Sequence, residues 1–170
     1  MGKDLGASSG SREPSPKGLG PAGFDPERKV VINACHGGFG LSHEAVLEYA
    51  LRKGLTLYPE RDKRFSDLMG PTYWLVPEGE RAEADQSNWA AMSDEERRAT
   101  NAAHDRLVLT PREIARDDAD LIAVVEQMGD DASGRFGKLK VVSIPADVAW
   151  KIEEYDGLEW VAEEHRTWCA

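Results

Sequence analysis

The chain has only two cysteines in 170 residues, Cys35 and Cys169. They make no disulfide framework and by themselves supply no zinc quartet. No apolar run approaches the roughly 20 residues that a membrane-spanning helix needs, and the first residues lack the apolar core of a secretory signal. The expectation is a cytoplasmic protein with no membrane partner. Large apolar groups are nearly missing from Met1 to Arg28, where Phe24 is the main anchor among Ser8-Ser9-Gly10-Ser11, Pro14-Ser15-Pro16 and the glycines from Gly18 to Gly23. Such a stretch buries too little surface to offset its ordering entropy. A disordered tail over 1–28 and a single domain over 29–170 are therefore expected.

Basic residues are scarce late in the chain. From Asp117 to Ala170 there are 13 acidic side chains against 5 Lys or Arg, within a net charge of −10. A face of that sign repels phosphate backbones, which argues against a duplex nucleic-acid partner.

What the chain does have is the run Val30-Val31-Ile32-Asn33-Ala34-Cys35-His36-Gly37-Gly38-Phe39-Gly40-Leu41-Ser42. An apolar, β-branched stretch meets a glycine-rich turn, and then a helical pattern (Ala45, Val46, Tyr49, Ala50) begins behind Ser42 as N-cap. Gly54 suits the left-handed residue after that helix. Such a strand–loop–helix junction offers backbone N–H groups and a helix N-terminus to an anion. It is not a Walker A loop, since no Gly-Lys-Ser/Thr follows. It supplies only the first half of the dinucleotide fingerprint, with His43 where the third glycine belongs. A tight turn with no ligand remains the alternative. Cys35, beside a helix N-terminus, has a thiol placed to act as a nucleophile. His36 points to the other face, and His43 is the better-placed base. A small buried hydrophobe is the competing role for Cys35.

Further along, Leu55–Tyr58 reads as a strand ended by Pro59, giving strand–helix–strand and a parallel pairing. Thr72–Val76 reads as a short strand. Ser93 and Glu96 form a capping box for a helix to about Arg106. Thr110–Glu113 repeats the capping logic. Asp117 or Asp118 caps a helix with Leu121, Ile122, Val124, Val125 and Met128 inward, ended by Gly129. Leu139–Ile144 is a strand. Trp150–Tyr155 alternates as one, Asp156-Gly157 turns, and Leu158–Trp168 forms a last strand or short helix. The fold class is α/β: a small mixed sheet with packed helices, a strand–Gly loop–helix start and antiparallel strands at the C-terminus.

A second charged constellation holds Glu153, Glu154, Tyr155, Asp156, Glu159, Glu163, Glu164, His165 and Arg166. Carboxylates and a His suit acid–base chemistry, but the spacing matches no zinc pattern, so no metal is assigned. Alternatively this is a charged outer face, with Trp150, Ile152, Leu158, Trp160 and Val161 inward. The expected ligand-binding set is Cys35, His36, Gly37, Gly38, Phe39, Gly40, Ser42, Tyr155, His165 and Arg166. No residue is assigned as catalytic and no cofactor is named.

With these residues laid out, the chain resembles a family of small uncharacterised proteins of bacteriophage and other large viral genomes. The likeness rests on VVINACHGGFGLS (Val30–Ser42), LKVVSIP (Leu139–Pro145) and WKIEEYDGLEWVAEEHRTW (Trp150–Trp168). RDDADLIAVVEQMGDDASG (Arg116–Gly134) has the same character. Arg61 to Arg106 shares nothing with it, and the long N-terminal tail departs from it. The resemblance implies a phage accessory protein of the infected cell and no particular activity. Three functions stay open: a non-catalytic binder of a small phosphate-bearing, nucleotide-like molecule, a hydrolase or transferase on such a substrate, and a protein-interaction module.

Overall fold

The computed structural model describes residues 27–61, 70–81 and 86–165. The strand at the start runs Glu27–Asn33 (β1), so Glu27 and Arg28, expected in the tail, belong to a strand. The rest of the expected tail lies outside the described residues. β1 pairs antiparallel with Leu139–Pro145 (β5), from Glu27 opposite Pro145 to Asn33 opposite Leu139.

The helix His43–Arg52 (α1) starts where Ser42 accepts from the Ala45 N–H, at 3.2 Å. Gly54 has φ +67, as expected of the residue that turns the chain out of a helix. Among the described residues the expected parallel pairing is absent. Tyr58–Glu60 (β2) pairs instead with Thr72–Trp74 (β3), which pairs with Val108–Leu109 (β4), both antiparallel. Pro59 sits inside β2 and does not end it; β2 is an edge strand, where a missing N–H is tolerated. Between β3 and β4 the helix Asp94–Asp105 (α2) carries the full Ser93–Glu96 capping box. Thr110–Glu113 gives only a 3-10 turn with no side-chain cap.

The helix Ala119–Met128 (α3) is capped by Asp118, whose side chain accepts from the Asp120 and Leu121 amides. Gly129, at φ +59, ends it. α3 packs over β1 and β5 and against α1, and the core they share holds Val31, Phe39, Ala45, Tyr49, Leu121, Val124 and Leu139. The strands Trp150–Tyr155 (β6) and Leu158–Glu163 (β7) form an antiparallel hairpin beside β1. The α/β class therefore holds, with the strands of the described residues divided over three antiparallel sheets. No helix among the described residues is long and apolar enough to cross a membrane.

Candidate functional site

β1 delivers Asn33 to the mouth of the glycine loop, and Asn33 is fully buried. Its side-chain amide donates to the carbonyls of Cys35 and Gly157, each at 2.6 Å. Its Oδ1 accepts from the Lys138 N–H at 2.7 Å and from the Cys35 thiol at 3.3 Å. One side chain thus ties the end of β1, the loop after it, the entry to β5 and the β6–β7 turn. Such a satisfied buried network fixes the relative placement of the segments it joins.

The glycines meet at that junction. A Cβ on Gly37 would fall 1.6 Å from the Phe136 carbonyl oxygen, and one on Gly157 would fall 2.5 Å from the Gly38 nitrogen. The Gly134 N–H donates to the Gly40 carbonyl at 2.8 Å. Much of the closeness that the glycines permit is therefore taken up by the protein's own backbone. Gly38, at φ +85, and Gly40 are different, since a Cβ on either would meet nothing within 4 Å.

The free edge of β1 is closed by two residues that the sequence reading did not select. The Val31 N–H donates to the Arg116 carbonyl at 2.8 Å. The Asn33 N–H donates to Glu159 Oε2 at 2.8 Å, so a carboxylate stands where a neighbouring strand would offer a carbonyl. Arg116 Nη2 pairs with Glu159 Oε1 at 3.0 Å, with side chains only 16% and 8% exposed. The guanidinium lies over the Phe39 ring, 3.1 Å from its centroid. Burial pulls the Arg116 guanidinium below its ordinary range, against the opposing pull of Glu159.

The ten expected ligand residues fall into distinct environments. His36 and Gly37 are exposed on the loop, and Cys35, Gly38 and Gly40 are partly covered. The Cys35 thiol donates to the Phe136 carbonyl as well as to Asn33, at 3.3 Å. Its candidate base has another partner: His43 Nδ1 lies 3.1 Å from the Tyr73 hydroxyl, with the rings stacked. Burial pushes the Tyr73 hydroxyl up to about 12, with Glu44 adding to the rise and Arg61 opposing it. Phe39 is a core residue. Ser42 caps α1 and donates its hydroxyl to the Asp131 carbonyl at 2.7 Å. Tyr155 is 72% exposed and adjoins the turn that packs on Gly38. His165 is exposed and lies past the end of β7, away from that turn. Arg166, with Trp168, lies outside the described residues.

Phe136 is a further residue that the sequence reading passed over. Its ring is 59% exposed although its carbonyl seats against Gly37, and the Arg135 guanidinium lies 5.2 Å from the ring centroid. Two exposed aromatics thus lie on the segments that pack on the loop: Phe136 at the Gly37 contact, with Arg135 and Lys138 near it in the chain, and Tyr155 two residues before Gly157. Among the described residues no three His, Cys, Asp or Glu side chains gather into a cation site. Compared with protein-family models, with curated proteins and with solved structures, the chain matches none of them.

Proposed function

We propose that this protein is a non-catalytic binder of a small phosphate-bearing, nucleotide-like molecule. The observation that carries the reading is that both segments packed on the glycine loop carry an exposed aromatic: Phe136, whose carbonyl meets Gly37, and Tyr155, two residues before Gly157. A base stacks on an exposed ring without sequence-specific hydrogen bonds, a contact worth about 1–3 kcal/mol. Arg135 and Lys138 supply cations for a phosphate on a chain of net charge −10. The reading assigns no catalytic step to Cys35, whose single thiol proton has two acceptor oxygens to choose from, each 3.3 Å from Sγ. A nucleophile needs its own proton taken by a base, and His43 is engaged with Tyr73. The reading carries with it a phage accessory role in the host cytoplasm, with no duplex nucleic-acid partner.

The test has two arms. Protein purified from cells is heat-released and the supernatant examined by mass spectrometry for nucleotides. In parallel, a panel of nucleoside mono-, di- and triphosphates and inorganic phosphate is titrated by calorimetry. Wild type should bind at least one nucleotide. Phe136→Ala and Tyr155→Ala should each weaken that binding by about tenfold or more without lowering the melting temperature. No bound nucleotide and no titrating nucleotide would sink the proposal.

A further inference from the structure

We propose that the outer edge of β6 docks a second copy of the same strand, joining two hairpins into one four-stranded antiparallel sheet around a two-fold axis at Ile152. The argument starts from hydrogen-bond phase. Asp156 (φ 52) and Gly157 (φ 81) form a two-residue turn with both central residues left-handed. That turn makes Tyr155 and Leu158 a hydrogen-bonded pair. At the other end the Glu164 N–H donates to the Ala149 carbonyl at 2.8 Å, which keeps the same phase. Bonded pairs in an antiparallel ladder alternate with non-bonded ones. Trp150, Ile152 and Glu154 therefore turn their N–H and C=O groups away from β7. No strand pairs with that edge among the described residues.

A bare edge is a template for another strand, and a two-stranded hairpin is marginal by itself. The side chains say which strand fits. With the axis at Ile152, each outward N–H of one copy meets an outward carbonyl of the other. Trp150 stands opposite Glu154, and Lys151 of one copy stands opposite Glu153 of the other. Moving the axis one residue in either direction preserves the hydrogen-bond phase. It then sets Lys151 against Lys151, or Glu153 against Glu153. Opposite charges across a ladder stabilise and like charges destabilise. The charge pattern therefore selects a single register, and the strand is complementary to itself. Within one copy Lys151 Nζ already lies 2.8 Å from Glu153 Oε1, so both charges stand on the face where they would meet their counterparts. Sheet extension uses the edge and leaves the exposed face of Tyr155 free, so this inference stands apart from the ligand reading.

The experiment is sedimentation velocity on the full chain and its variants. Wild type should show a concentration-dependent monomer–dimer equilibrium. Lys151→Glu and Glu153→Lys each place like charges across the axis and should each raise the dimer dissociation constant about tenfold or more. The double variant restores both the intramolecular and the cross-axis pairs and should return the constant to the wild-type range. Glu154→Pro deletes only an outward N–H, which an edge strand tolerates, and should also weaken the dimer. A wild type that is monomeric throughout the micromolar range would overturn the proposal. So would single swaps that leave the dimer unchanged, or a double swap that fails to recover it.

Discussion

Glu159→Ala removes the acceptor that closes the edge of β1. The substitution strips three things at once. The Asn33 N–H, in a residue with no exposure, loses its partner. The Arg116 guanidinium, with its side chain 16% exposed, loses its counter-ion. The hairpin loses an anchor to β1 on the second residue after its turn. Orphaning a buried donor costs about 1–3 kcal/mol. Breaking a buried ion pair from one side costs about 3–5 kcal/mol, because a charge stays behind uncompensated. These contributions overlap, so the expected loss is about 4 kcal/mol, a large part of the roughly 5–15 kcal/mol of a typical domain. Arg116 has little means of adjusting, since its buried Nη1 has no partner among the described residues. Glu159→Gln should cost less, because an amide oxygen still accepts from Asn33. Arg116→Met combined with Glu159→Ala should cost at least about 1 kcal/mol less than the sum of the singles, as for residues that share one network. Urea unfolding followed by tryptophan fluorescence measures each value from midpoint and slope. A loss below about 1 kcal/mol for Glu159→Ala, or strict additivity in the double variant, would refute the edge-closing role.

Two further outcomes follow from the same geometry. Burial pushes the Asp118 carboxyl up, but Lys53 and the Leu121 and Asp120 amides outweigh it and hold the carboxyl below its ordinary range. A depressed folded-state value contributes stability that is present above the unfolded value and lost as pH falls through the folded one. Asp118→Ala should therefore cost about 1 kcal/mol or more at neutral pH, and its deficit against wild type should close below about pH 4 in a series of urea midpoints. Gly37→Ala should lower stability severely, since its Cβ would lie 1.6 Å from the Phe136 oxygen. Gly40→Ala should stay within about 0.5 kcal/mol; equal melting temperatures for the two would contradict the packed crossing.

Local devices were legible in the sequence because a few adjacent residues determine them. Ser42 before α1, the Ser93–Glu96 box, Asp118 before α3 and the Asp156-Gly157 turn all stand where their chemistry predicts. What went astray depends on distant partners. β1 takes β5 and not β2, which pairs with β3; the β1–β5 pair is the one that packs under α3. A charged outer face for Glu159 conflicts with strict alternation, which sets it on the face of Val161 and Ile152. In the folded hairpin Trp160 is 41% exposed and Glu159 is buried. Reading Trp160 and Val161 as both inward broke the period of two. Arg116 carried no such signal, since its role comes from a carboxylate 43 residues later in the chain.

The loop from Gly37 to Gly40 shows why a glycine-rich turn between strand and helix is an ambiguous sign. A glycine permits close approach, and what approaches is either a ligand or another stretch of backbone. Here the two uses divide along the loop. Gly37 is taken by the Phe136 carbonyl, and the Gly38 nitrogen by Gly157, so these contacts hold the β6–β7 turn and the entry to β5 against the loop. A partner for this internal use is visible in the sequence as well: Gly134, Gly137 and Gly157 are the glycines that face the loop. Where glycines recur in distant segments, mutual backbone packing accounts for them without any ligand. The case for a ligand therefore has to come from what the packed crossing exposes. That is the pair Phe136 and Tyr155, neither of them a glycine: one lends its carbonyl to the Gly37 contact and the other stands two residues before Gly157, so the packing that uses up the glycines also fixes the backbone that carries two exposed rings.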